Sequence, residues 1–172
     1  LGDLARPRPG HGDLTGAVKY LGSIRGVLER ASARETTVRV AAGALARQLL
    51  SAFGIEVLGY VVELGGVAIE PLAGTLADQR TRRDQSEIYA LDPAKDEEIK
   101  QLIDRTGKDG DTLGGIVEVR VEGLPFGLGT HAQWDQKLDG RIAQAVMAVQ
   151  AIKGVEIGLG FEAARRPGSK VH

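Results

Sequence analysis

Cysteine is absent from the 172 residues, which excludes disulfides, thiolate nucleophiles and any zinc site built on sulfur. Long apolar runs are absent as well. The most apolar stretch, near residues 52–69, is broken by Glu56, Glu63 and several glycines, far short of the roughly 18 uninterrupted apolar residues of a membrane span. Aromatic residues make up 4% of the chain, and Tyr20 is the only one among the first fifty, so a base-stacking platform for RNA is missing. Excess charge of one sign is lacking too: 22 basic and 23 acidic residues leave −1, which gives no general pull toward nucleic acid or acidic membranes. Nothing at the N-terminus resembles a signal peptide. The expectation is a soluble chain of a reducing compartment, the cytoplasm, with no membrane and no nucleic-acid partner.

What is present is glycine, 24 of 172, about twice the usual ~7% and without a collagen-like period. The length fits one domain over residues 1–172 with a sizeable buried core. Charge is unevenly spread. Residues 1–50 hold eight Lys/Arg against four acids, an excess of +4, which suits a small polyanion.

Two segments concentrate that charge. In Arg8-Pro-Gly-His-Gly-Asp-Leu-Thr15 an arginine and a titratable imidazole sit on a turn stiffened by Pro9 and freed by Gly10. An imidazole near pKa 6.5 serves as a general acid at neutral pH, which singles out His11. In Arg30-Ala-Ser-Ala-Arg-Glu-Thr36, Ser32 and Glu35 have the spacing of a capping box at a helix start. Arg30 and Arg34 beside that helix N-terminus predict a corner for phosphate, carboxylate or both. Arg39 and Arg47 read instead as solvated helix faces with i, i+4 partners.

Apolar spacing predicts a helix over 15–31 weakened by Gly22 and Gly26, then a long one from the Ser32 cap, apolar at Val38, Ala41, Ala42, Leu45, Leu49 and Phe53 and ended by Gly54. Residues 55–69 predict one or two strands. Residues 74–88 are polar, charged and without apolar period, and are expected to form a loop. Asp92-Pro93 opens a short helix carrying Ile99, Leu102 and Ile103. Val117 to Glu122 alternates strictly, predicting a strand with one buried and one wet face. A helix capped by Asp135 or Asp139 runs to Lys153-Gly154, and Val155 to Phe161 predicts a last strand. A wet-faced strand fits antiparallel pairing, so the expected class is α+β, helices layered on an antiparallel sheet.

Thr106-Gly-Lys-Asp-Gly-Asp-Thr112 fails as a phosphate loop, since Asp109 follows Gly-Lys and Leu102 stands where the first glycine is needed. Its carboxylates also miss the calcium-loop positions, so it reads as a turn before a strand, and no metal site is expected. His131 and Trp134 precede a helix and suit a surface or interface role; His172 has no local partner.

Arg8-Pro-Gly-His-Gly-Asp, Lys19-Tyr20, Val27-Leu-Glu-Arg-Ala-Ser-Ala-Arg-Glu-Thr36, Val40-Ala-Ala-Gly43, Asp109-Gly-Asp-Thr-Leu-Gly-Gly115, Lys137-Leu-Asp139 and Ile152-Lys-Gly-Val-Glu-Ile-Gly158 together resemble chorismate synthase over essentially the whole chain. The resemblance implies a β-α-β sandwich, here partial, and a homotetramer. It implies a lyase that removes phosphate from 5-enolpyruvylshikimate 3-phosphate by 1,4-elimination to give chorismate, using reduced FMN without net redox change. By resemblance His11 is a proton donor near the flavin, Arg8 and Arg34 bind substrate, and Arg30, Ala31 and Ser32 contact FMN. Gly12 stands where the family has alanine, and Leu21 where it has glycine. The family's Gly-Glu-Ser-His-Gly segment, its following arginine-rich stretch and its C-terminal third have no counterpart in residues 1–172, so the chain by itself is expected to be inactive or nearly so. The rival readings are a non-catalytic or truncated scaffold of the same family and a polyanion- or RNA-binding module.

Overall fold

β-branched residues between Ile55 and Ile69 do give extended backbone. In the computed structural model, which describes residues 2, 4–70 and 73–171, this stretch forms β1 (Glu56–Leu64) and β2 (Val67–Ala68). Gly65 and Gly66 turn between them with φ of 61° and 83°, a region that side chains with a Cβ rarely occupy. The alternating segment is β3 (Gly115–Glu122). The sheet order is β2-β1-β3 with both pairs antiparallel, and a register shift falls between Val61 and Glu63. The fold is α+β, as the sequence predicts.

Among the described residues six α-helices accompany the sheet: α1 (Asp13–Tyr20), α2 (Ile24–Ala31), α3 (Arg34–Ala52), α4 (Leu76–Gln85), α5 (Asp96–Lys108) and α6 (Leu138–Met147). The described chain groups into two compact units, Leu1–Ala46 with Pro125–His172, and Arg47–Leu124.

Arg47–Leu124 contains the apolar core. Leu58 and Tyr60 of β1 meet Leu76 of α4 and Leu91, while Ile69, Ala90 and Ile99 of α5 form a second cluster joined by Val61, Leu64, Val67 and Ile88. β3 departs from expectation here. Antiparallel partners share a face, and Tyr60 is opposite Glu118 while Leu58 is opposite Arg120. The charged residues of β3 therefore lie on the side of the core, where the Tyr60 hydroxyl donates to Glu118 and Arg120 reaches Gln79 at 3.4 Å. The valines Val117, Val119 and Val121 are on the open side, and Val117 is 61% exposed.

Four further expectations are corrected. The supposed loop 74–88 contains α4, capped by Thr75 and Asp78 in a reciprocal pair; a helix polar nearly all round shows no apolar period, and it is held by Leu76 in the core, by buried Gln79 and by Arg80 and Arg83 reaching β1. The helix expected over 15–31 is two, because Leu21 takes a left-handed conformation (φ 50°) and Ser23 caps a new start. α6 stops at Met147, and its N-cap residue is Lys137, with no side-chain cap from Asp135 or Asp139. Residues 155–161 are not a strand: Gly158 and Gly160 have positive φ and a 3-10 turn begins at Gly160. Two expected helix boundaries are seen. Gly54 ends α3's region with φ 74°, and Asp92 caps Pro93–Lys95 ahead of α5. Thr106, Gly107 and Lys108 finish α5, and the turn at Asp109-Gly110 leads to β3.

Many large apolar side chains are exposed, among them Val38, Leu45, Leu49 and Phe53, which the sequence placed on one face of a helix, and the valines of β3.

Candidate functional site

The three residues Leu21-Gly22-Ser23 fold α1 back on α2. Gly16 is what lets the two helices close: a Cβ at that position would overlap a γ-methyl of Val27 and lie 2.9 Å from the other. Asp13 stands one turn before Gly16, and Ala31 one turn after Val27. The turn 8–13 leads into α1 and the segment 30–34 continues from α2, and no hydrogen bond or ion pair joins the two segments among the described residues.

In the turn, Asp13 is 1% exposed and takes both edges of Arg8. The guanidinium donates from Nε to Oδ2 at 2.9 Å and from Nη2 to Oδ1 at 3.0 Å, and the Arg8 main-chain N–H adds a third bond to Oδ2 at 3.0 Å. The hydrogen bonds from Arg8 hold the Asp13 carboxyl down at about 2. His11 is exposed, and its Nδ1–H donates to the Pro9 carbonyl at 2.9 Å. That contact leaves Nε2 as the outward nitrogen, free to give or take a proton.

At the second segment the capping box expected at Ser32 does not form. Ser32 Oγ accepts from the Arg34 N–H at 3.3 Å, and the Glu35 side chain turns away to Arg39, accepting from its Nε at 2.8 Å. An i, i+4 ion pair has outcompeted the backward reach to the cap, and hydrogen bonding by Arg39 lowers the Glu35 carboxyl. Arg34 is 65% exposed and donates from Nη1 to Glu29 at 2.6 Å, while Arg25 approaches the same carboxylate at 3.8 Å. Arg30 and Ala31 are exposed, Ser32 is half-buried, and Arg30 makes no salt bridge or hydrogen bond among the described residues.

Sequence reasoning put His11, Arg8, Arg30, Ala31, Ser32 and Arg34 on its list and did not foresee the acids that organise them. Asp13 was legible as a neighbour of His11, but its burial was not, and nothing in the spacing marked Glu29 as the partner of Arg34. A separate cavity of about 420 Å³ is bordered by Gly127 to His131 and by Lys137, Leu138 and Asp139. There His131 is exposed, as expected, and Trp134 nearby in sequence is 84% exposed. His172 lies outside the described residues. Among the described residues no helix is long and apolar enough to cross a membrane.

The groups open to an anion on these two segments are an unpaired guanidinium at Arg30, an exchangeable one at Arg34, the Ser32 hydroxyl and the outward His11 nitrogen.

Comparison with known proteins shows the family. The family model described as chorismate synthase matches residues 3–172. The chain is 61% identical over 170 residues to the chorismate synthase of Trichlorobacter lovleyi, a match covering 98% of this chain and 43% of that protein. It is 56% identical over 171 residues to the chorismate synthase of Shouchella clausii, covering 98% and 44%. A crystal structure of chorismate synthase superposes with a TM-score of 0.87 at 49% identity, over 94% of this chain and 51% of that one. The chain thus spans less than half the length of these curated relatives.

Proposed function

The chain belongs to the chorismate synthase family, and from that premise we propose that residues 1–172 are one partial domain of a lyase that eliminates phosphate from 5-enolpyruvylshikimate 3-phosphate to give chorismate. The observation that supports this most is the close approach of α1 and α2 at Gly16 and Val27, from which we read the two cationic segments flanking these helices as parts of one site. A phosphorylated, doubly carboxylated ring needs several cations within one small site, and interactions that strengthen as phosphate takes on charge are those that speed its departure.

The residues present suit reduced FMN. Arg30 has no acidic partner in contact, and the Ser32 hydroxyl, which accepts from Arg34, still has its own O–H to donate, so both are available to an anionic cofactor. When bound, reduced flavin supplies electron density that eases loss of the phosphate. The chain's own groups do the rest. Arg34 exchanges Glu29 for substrate, Arg8 presents its remaining N–H groups from a fixed position, and His11 presents its outward Nε2 as the atom through which a proton passes. In the cell the enzyme works in the cytoplasm as a homotetramer of the family type.

The test is anaerobic titration of the chain with reduced FMN and then substrate, followed by the flavin spectrum, with Arg34→Ala as control. A spectral change on adding substrate that R34A weakens supports the reading, with little or no chorismate formed by these 172 residues alone. No flavin signal at any concentration favours a non-catalytic scaffold, and salt-dependent retention on nucleic acid favours the polyanion-binding module.

A further inference from the structure

We propose that Asp13 is a positioning residue of this site: by clamping Arg8 it closes the turn 8–13 and so fixes the direction and tautomer of His11. The inference rests on the reading of His11 as a proton-donating group.

In the unit made of Leu1–Ala46 and Pro125–His172, Asp13 is the only buried residue among those described. A carboxylate is a costly choice for such a place unless its bonds are satisfied. Its position at the first residue of α1 has a bland explanation, since acids favour helix N-termini. The bonds do not fit that explanation. Gly12 is the N-cap residue with no side-chain cap, and both Asp13 oxygens turn backward to Arg8 rather than forward to the amides of α1.

The three bonds close a six-residue loop in which little freedom is left. Proline fixes φ at position 9, Gly10 takes the left-handed region at φ 70°, and the ends are tied through Asp13. Within that loop the Pro9 carbonyl is presented to His11 Nδ1 at 2.9 Å. A carbonyl accepts only, so the contact requires Nδ1–H in the neutral ring and leaves Nε2 outward. Free imidazole side chains favour the opposite tautomer, so the Nδ1–H form is a readable signature of the closed turn.

The experiment uses the whole 172-residue chain, labelled with 15N at histidine, and long-range 1H–15N spectra that assign each tautomer. Wild type is expected to show His11 as Nδ1–H, with His131, which has no hydrogen-bond partner among the described residues, as the internal reference. Asp13→Asn is expected to lose that preference and bring His11 to the His131 pattern, while circular dichroism retains the helical signal. His11 remaining Nδ1–H in folded D13N overturns the proposal. Should D13N fail to fold, Arg8→Lys breaks the same fork from its exposed end, and an unchanged His11 tautomer there overturns it equally. The readout needs neither flavin nor substrate. A tautomer that responds to D13N in a chain that binds no reduced FMN supports the clamp and removes the functional reading; flavin binding with an indifferent tautomer does the reverse.

Discussion

Gly16→Ala tests the hairpin on which the site depends, because its two consequences have opposite signs. Alanine in a helix interior is favoured over glycine by about 1 kcal/mol, so an α1 that packed against nothing would gain that much. In the structure the new Cβ overlaps one γ-methyl of Val27, lies 2.9 Å from the other and 3.2 Å from the Val27 Cβ. A valine in a helix is stiff at χ1 and cannot rotate out of the way, so the helices must separate, at a cost of about 1–3 kcal/mol for an overpacked contact. The net expectation runs from near neutral to about 2 kcal/mol destabilising, measured by urea unfolding followed by circular dichroism. Val27→Ala removes the obstructing methyls, so G16A in that background is expected to recover the propensity gain. The cycle should then show a coupling of about 1–3 kcal/mol, as residues in direct contact do. Separation of the helices also parts the two cationic segments, so G16A weakens flavin and substrate binding while G16A/V27A restores part of it. Stabilisation by a full ~1 kcal/mol in the wild-type background, with additive energies and unchanged binding, refutes the close approach.

Leu58 is fully buried between β1 and α4, so Leu58→Ala is expected to cost about 3 kcal/mol in urea unfolding; a loss below about 1 kcal/mol contradicts a packed core there. Leu21 is 92% exposed with φ 50°, a conformation that costs a residue with a Cβ about 1–2 kcal/mol. Leu21→Gly is expected to raise stability by about 1 kcal/mol after the extra freedom of glycine in the unfolded chain is subtracted. Arg8 holds the Asp13 carboxyl at about 2, against about 3.9 unfolded. The folded state therefore binds fewer protons in this range, and the contribution of Asp13 is complete above about pH 4 and lost as pH falls through about 2. Acid titrations of wild type and Asp13→Asn should converge over that interval. Burial, then hydrogen bonding to Glu118, pushes the Tyr60 phenol up to about 12. Its share of stability is present below about pH 10 and fades as pH rises through about 12, and phenolate absorbance should show one of the three tyrosines titrating after the others.

How far the sequence could be read depended on whether local signals had a rival in space. Val117 to Glu122 announced a strand because alternation has one meaning for the backbone, but which face is buried depends on the partner strand, and β1 sets Glu118 and Arg120 beside Tyr60 and Leu58. α4 was missed because its apolar content is nearly nil; its cap, a threonine three residues before an aspartate, was written in the sequence and was the better clue. Ser32 and Glu35 gave the same type of clue and misled, since Arg39 four residues on took the glutamate. The run Val155 to Phe161 has the side chains of a strand, yet glycines with positive φ and the lack of a pairing neighbour leave it irregular. The candidate residues were chosen by residue type and motif. Their pairing was not legible, because Arg8 with Asp13 and Arg34 with Glu29 are each five apart, a spacing that no helix rule joins.

Those pairings change what the +4 of the first fifty residues means. All three acids described there are engaged by arginines, Asp13 by Arg8, Glu29 by Arg25 and Arg34, and Glu35 by Arg39. Arg30 is left without a contact partner at the end of α2, close enough to Glu35 to help hold its carboxyl ionised. In the proposed site an arriving polyanion would therefore meet three different guanidinium groups. It gains Arg30 with nothing displaced. It gains Arg34 by displacing Glu29 from an exposed pair, which costs little because water and salt already weaken it. It does not take Arg8 from Asp13 without leaving a buried carboxylate unpaired, which is strongly unfavourable, so Arg8 acts where it stands. Under the proposed function the free arginine would set affinity, the exchangeable one would respond to occupancy, and the clamped one would hold His11 to the geometry that proton transfer requires.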